Sequence, residues 1–398
     1  MGDEGLFFYA PTNGTPARSP HLPPKSKNLE EPNMKKNTVN KLMTLALSLA
    51  MTLSLAACGG GSGGSGSSNP TPAQSGSSGQ QPASGSTYKV GIIKFMDHAS
   101  LNQIEDSLQA ELDRLGGELG VTFDYAGYTA CGQGDGSTLQ AIAAQMVADQ
   151  VDVIVPIATP AVQTTLAATE DTQIPILFSA VSDPITNGIV ADMNAPGGKT
   201  TGTSDALNTK MVIDLMLAAD PDIQKVGLLY SKSESASTKP VQEAKEYLSS
   251  LNIAVEEKTG TNTNEITSAA DALVAAKVDA IFTPTDNTIQ SAELAIFEKL
   301  QDAQIPHYGG ADSFALNGAF CGYGVDYVQL GQETAQMVAD LLVNGADPAT
   351  TPVRIMTAES AYINTETCQA IGLDLDQIKS AFSTLGIHVI EITTQQNF

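Results

Sequence analysis

The sequence predicts an α/β protein built of two similar doubly wound lobes with mainly parallel sheets. Two observations carry this. First, three short phrases occur twice in the same order: Lys89-Val-Gly-Ile-Ile-Lys94, Val151-Asp-Val-Ile-Val155 and Ile174-Pro-Ile-Leu-Phe178 return about 130 residues later as Lys225-Val-Gly-Leu-Leu-Tyr230, Val278-Asp-Ala-Ile-Phe282 and Ile305-Pro-His-Tyr308. Second, each phrase is a run suited to a strand buried on both faces of a parallel sheet, followed by turn residues and a helix-period segment. Two such lobes imply a cleft between them.

Upstream of the lobes, residues 1–33 fit no export-signal pattern and read as an upstream mis-start. Residues 34–57 read as a secretory signal: Met34-Lys-Lys-Asn and Lys41 give a basic start, and the apolar run Leu42 to Ala57 is short for a transmembrane span. Leu55-Ala-Ala-Cys58 resembles a bacterial lipobox, which makes Cys58 the lipidated residue and the new N-terminus. Residues 58–87 are almost entirely Gly, Ser, Pro, Gln, Asn and Ala, a composition that buries too little apolar surface to fold. The expected product is a folded body tethered by its N-terminal lipid to the extracytoplasmic face of a bacterial cell membrane.

The first lobe, residues 88–204 plus about 326–352, starts with a strand at Val90 to Phe95. A helix follows from Asn102 to Leu115, and Gly116-Gly117 is expected to stop it. Val121 to Tyr125 alternates as a strand, Ser137 to Asp149 is helical, and Val151 to Ile157 is the central strand. After it, Thr159 is placed to cap a helix with Pro160 in its first turn, a geometry that leaves backbone N–H groups and the positive dipole end facing the sheet edge. Strand Ile174 to Phe178 ends in Ser179-Ala-Val-Ser-Asp183-Pro184, a second cap-and-proline pattern.

The second lobe, residues 205–325 plus about 353–398, repeats the plan: strand Val226 to Tyr230, helix Lys239 to Leu251, strand Ile253 to Glu257, helix Glu265 to Ala276 and central strand Val278 to Thr283. Superposing the copies on Val151 and Val278 puts Thr159 opposite Asp286 and Pro160 opposite Asn287. Three hinge crossings are expected: Gly197 to Asp205, Gly318 to Tyr327, and Val353 to Met356. Three crossings let two lobes close on a ligand as rigid bodies.

Ligands of open α/β sheets sit beyond the C-terminal ends of the strands. The candidate ligand-binding residues are therefore His98 from the first strand's exit loop, Thr159 and Ala161 at a helix start, Ser179 and Asp183, then Ser237, Asp286, Asn287 and Asp312. A neutral helix start in one lobe and an acidic loop in the other suit the two ends of a zwitterion: carboxylate on the N–H groups, ammonium on Asp286 or Asp183.

Several function classes are disfavoured. The chain has net charge −24, and beyond residue 57 it keeps 14 basic against 40 acidic residues, no footprint for nucleic acid. The histidines are not spaced with one another or with cysteine as metal ligands, and no cofactor is expected. Gly60-Gly-Ser-Gly-Gly64 matches a nucleophile elbow only as low-complexity tether, and Gly198-Lys-Thr200 lacks the first glycine of a phosphate loop, where Met193 stands. No enzyme is expected. Cys131, Cys321 and Cys368 leave one disulfide with a spare thiol, or three free thiols, open.

The motifs Ser179 to Pro184, Pro196-Gly-Gly-Lys-Thr-Thr-Gly-Thr-Ser-Asp205, Tyr230 to Ser237, Val278 to Asn287, and Tyr323-Gly-Val-Asp-Tyr327 with Leu330-Gly331 stand in the order seen in a known family. Together they resemble tryptophan/tyrosine-type ABC transporter substrate-binding proteins, over nearly all of residues 88–398. The resemblance implies a type I periplasmic-binding-protein architecture, a small-molecule ligand of the aromatic amino acid class, and an ABC permease as partner. A nucleoside or sugar ligand, and a sensory rather than transport role, are the alternatives. With no Trp in the chain, an aromatic ligand would pack on Phe95, Tyr128, Phe178, Tyr230 or Tyr323.

Overall fold

In the computed structural model, which describes residues 85–358 and 360–395, the first phrase forms β1 (Thr87–Lys94), flanked in space by strands it meets only later in the chain. The expected signal, the lipobox Cys58 and most of the tether lie outside the described residues. The end of the tether is shorter than expected: Gly85 N–H donates to Gly120 and Thr122 N–H to Ser86, so pairing already begins there.

Helix α1 (Ala99–Leu119) buries Leu101, Ile104, Leu108, Leu112 and Leu115, the three-four spacing of one helical face. It runs through Gly116-Gly117 and ends at Gly120, which takes φ 68°. Glycine lowers helix propensity but does not by itself end a helix; the left-handed residue does. Then come β2 (Thr122–Asp124), β3 (Thr129–Cys131), α2 (Gly136–Ala148), β4 (Val153–Ile157), α3 (Thr159–Ala168), β5 (Ile176–Phe178) and β6 (Thr200–Ser204). The order β2-β1-β4-β5-β6 is parallel throughout, and β3 also pairs with β1.

The chain then leaves for the second lobe: α4 (Thr209–Ala219), β7 (Lys225–Tyr230), α5 (Thr238–Ser250), β8 (Ala254–Thr259), α6 (Thr263–Ala275), β9 (Ala280–Thr283), α7 (Asn287–Ala292), α8 (Phe297–Asp302), β10 (His307–Gly309), α9 (Asp312–Leu316) and β11 (Cys321–Gly324). Its sheet order, β8-β7-β9-β10-β11, reproduces that of the first lobe strand for strand. The repeated phrases are thus equivalent neighbouring strands, which is why they share a composition.

After Gly324 the chain returns: α10 (Tyr327–Leu342) packs along α1, and β12 (Arg354–Ile355) pairs with β6. This places residues 354–355 in the first lobe's sheet, so the boundary expected near 353 falls a few residues later. A last crossing leads to β13 (Ser360–Asn364), α11 (Thr365–Ala370), α12 (Leu375–Thr384) and β14 (His388–Ile392), which extend the second sheet. The β11–β13 pair is the antiparallel one. Of the two cysteine alternatives, the structure has free thiols at Cys131, Cys321 and Cys368.

Candidate ligand-binding site

A small cavity, about 20 Å³, lies between the lobes. The first lobe contributes His98, Leu101, Ala158, Thr159, Ala180 and Ser182, and the second Ala236, Thr285, Asn287 and Gln290. The crossings contribute Asp205 and Tyr327.

Asp205 is the group that most needs a partner. It is 6 % exposed, accepts from Ser182 Oγ at 3.0 Å and from Tyr327 O–H at 3.2 Å, and has no basic side chain within ion-pairing distance among the described residues. Burial raises its pKa, against the pull of those two hydrogen bonds. A desolvated carboxylate with two neutral donors is stabilised further by a cation placed beside it.

The start of α3 lines the same cavity. The residue before the helix is Ala158, which offers no capping side chain and holds φ 77°, ψ 149°, a conformation rarely taken without glycine. Ala180, at φ 56°, is a second non-glycine residue with positive φ on the cavity wall. Thr159 is therefore not the cap but the first helical residue. Its buried hydroxyl has no hydrogen-bond partner among the described residues. An uncapped helix start beside an unpaired hydroxyl favours an anion.

A third group closes the cleft. His98 Nε2 and Asn287 Oδ1 are 2.9 Å apart, and Asn287 Nδ2 donates to Glu234 Oε2 at 3.1 Å. Burial takes the His98 pKa down to about 4, so the ring is neutral at physiological pH. Glu234 is pushed up to about 8, by burial first and then by the neighbouring Asp286 charge.

Of the candidate residues, His98, Thr159 and Asn287 line the cavity, and the other six do not. Ala161 is packed into the core beneath α3. Ser179 Oγ faces Thr334 Oγ1 at 3.0 Å, behind the cavity wall. Asp183 does not cap a helix: it accepts from Thr186 N–H in a turn and stands 3.7 Å from Lys239 Nζ of the other lobe. Asp312 accepts from Gln103 of α1 at 3.4 Å, and burial raises its pKa to about 6.

Asp286 was, with Asp183, an expected ammonium partner, and the structure gives it other work. It caps α7, accepting from Ile289 N–H at 3.0 Å, Ser231 N–H at 2.7 Å and Ser237 Oγ at 2.7 Å. Both Asp286 and Ser237 are thus occupied with each other. The caps are Ala158 and Asp286, so the copies slip by one residue and Thr159 stands opposite Asn287, not Asp286. Asp286→Ala will orphan three buried donors and lower stability by about 2–4 kcal/mol, read as a fall in the denaturant midpoint. An unchanged midpoint would show that these bonds contribute nothing.

Asp205, Ser182 and Tyr327 were not among the candidates, although each lies within a motif quoted above. The expected aromatic platforms are elsewhere too: Phe178 is core, Tyr230 O–H donates to Glu257 and Tyr323 O–H to the Ala358 carbonyl, while Phe95 and Tyr128 lie outside the cavity lining. The apolar wall of the cavity is instead made by Leu101, Ala158, Ala180 and Ala236. Among the described residues no cluster of three or more His, Cys, Asp or Glu is placed to hold a metal ion.

Two α/β lobes joined by three crossings, closed over a small polar cavity, define a small-solute binding protein. The profile of the family described as ABC transporter substrate binding protein matches residues 89–384, and the chain belongs to that family. Its members are solute binders, not enzymes, and the architecture is that of type I periplasmic binding proteins. The chain is 30% identical over 295 residues to a tyrosine-binding protein of Clostridioides difficile, covering 73% of this chain and 83% of that one. A Streptococcus pneumoniae ABC domain solved in complex with L-Trp is 33% identical with TM-score 0.69, over 77% of this chain and 100% of that one. The ligand-free, open structure of a Clostridium difficile substrate-binding protein with adhesive properties is 29% identical with TM-score 0.58, over the same shares.

Proposed function

We propose that this protein is a lipid-anchored extracytoplasmic receptor that captures an aromatic amino acid and delivers it to an ABC permease. The observation that carries the ligand reading is Asp205, a buried carboxylate without a basic partner among the described residues, in one cavity with the open start of α3. An α-amino acid supplies both missing charges: its ammonium pairs with Asp205, and its carboxylate takes the Thr159 hydroxyl and the first-turn N–H groups. The relatives support an aromatic side chain, one being named for tyrosine and another solved with L-Trp.

Capture works by closure. Both lobes contribute to the cavity, so the ligand contacts its full set of partners only when they meet, and its binding energy favours the closed state. The higher similarity to the L-Trp complex than to the open, ligand-free relative supports a closed arrangement here. Anchoring rests on the lipobox at Cys58.

A thermal-shift series tests the ligand. L-Trp or L-Tyr at a hundredfold excess over Kd should stabilise the protein by about 2.7 kcal/mol, raising Tm by several degrees. No shift with any aromatic amino acid, alongside a shift with a sugar or nucleoside, would reject the reading. For the anchor, Cys58→Ala should release the protein from the membrane fraction of expressing cells.

A further inference from the structure

His98, which lines the cavity, is a polar group that the zwitterion does not use. At one end, Ser182 Oγ lies 3.4 Å from Thr285 Oγ1 and donates to Asp205; two residues further along the same loop, Asn287 meets His98. The His98 and Asp205 groups share no hydrogen bond among the described residues. The ammonium goes to Asp205, since a bond to an ionised acceptor outweighs one to a neutral imidazole.

His98 Nδ1 is buried and has no partner among the described residues. Its protonation follows from its neighbours. Asn287 Nδ2 donates to Glu234 Oε2, which turns the amide oxygen toward His98, so Nε2 carries the ring proton and Nδ1 is a bare lone pair. Thr288 O–H donates to the other oxygen, Glu234 Oε1, at 3.1 Å, which leaves Oε2 to accept from Asn287. A buried acceptor left unpaired is costly, and a ligand with a matching donor removes that cost.

We infer that His98 is a specificity residue whose Nδ1 accepts a hydrogen bond from the ligand's side chain, the phenol O–H of tyrosine or the indole N–H of tryptophan. Asn287 and Glu234 are positioning residues that keep this nitrogen bare. The inference rests on the amino-acid reading above and adds a ranking within it: phenylalanine, which fills the same space without a donor, leaves Nδ1 unpaired and binds more weakly.

Titration calorimetry of L-Tyr, L-Trp and L-Phe on the purified protein and on His98→Leu tests this, with ¹⁵N-histidine NMR as the second readout. The expected preference for Tyr or Trp over Phe is about 10- to 100-fold in the natural protein and within about twofold in the variant. The Nδ1 resonance of His98 should be of the unprotonated type and move upfield with L-Tyr or L-Trp, but not with L-Phe. Glu234→Gln, in which the amide can present either a donor or an acceptor to Asn287, should reduce the preference while leaving Phe affinity within a few fold. An equal preference in His98→Leu, or an Nδ1 resonance that neither Tyr nor Trp moves, would overturn the inference and leave the amino-acid reading intact. Failure of all three amino acids to bind would overturn both.

Discussion

Asp205→Asn will weaken binding of an aromatic amino acid by about 2 to 5 kcal/mol, the cost of breaking a buried, hydrogen-bonded charge pair from one side. Asparagine keeps the shape and can still face Ser182 and Tyr327, so the loss isolates the charge. The ligand-free protein should respond oppositely. The folded-state pKa of Asp205 lies above its unfolded one, so the folded state binds that proton more tightly. This group's contribution to stability is therefore greatest at low pH and is lost as pH rises through the folded pKa. Asp205→Asn removes that loss, and at neutral pH its ligand-free Tm should equal or exceed that of the natural protein. Calorimetric titration with melting curves reads both effects. Unchanged affinity would remove Asp205 from the site.

Gly331→Val will destabilise the first lobe by about 3 kcal/mol or more, the upper range for forcing atoms into a packed core. A Cβ at Gly331 would stand 2.6 Å from the carbonyl oxygen of Ile104 and overlap Ser107 Oγ, so the two helices α1 and α10 touch backbone to backbone there. The Ile104 carbonyl belongs to a helix and cannot turn aside. One turn earlier, α10 carries Tyr327, whose hydroxyl holds Asp205, so a displaced helix also disturbs the site. A melting curve that overlays the natural one would show that the helices do not pack this closely.

These positions also show what the sequence reveals. The strands were legible because a strand buried on both faces is written as an unbroken apolar run, and the run occurs twice. The helix start after β4 was legible from Thr159-Pro160, yet the register was off by one, because the cap is Ala158 in a backbone conformation that its residue type does not announce. The Gly116-Gly117 pair was misleading for a related reason. Gly116 continues the helix, and a Cβ there would stand 3.0 Å from the Val121 carbonyl, so close approach as well as chain reversal calls for glycine.

The site was the least legible part. Asp286 and Asp205 are the same residue type at loop positions following strands, and sequence does not say which carboxylate finds donors within its own lobe. Asp286 finds three; Asp205 finds two hydroxyls and a cavity. That difference arises from the crossing segments, which bring Ser182, Asp205 and Tyr327 together from positions up to 145 residues apart.

In the proposed complex, Asp205 and the start of α3 hold the two ends of an amino acid. A crystal structure of the complex with L-Tyr or L-Trp tests it most directly. The ammonium should lie within hydrogen-bond distance of the Asp205 carboxylate, and the carboxylate on Thr159 Oγ1 and the first-turn N–H groups. An ammonium bound away from Asp205, or a carboxylate turned away from α3, would contradict it.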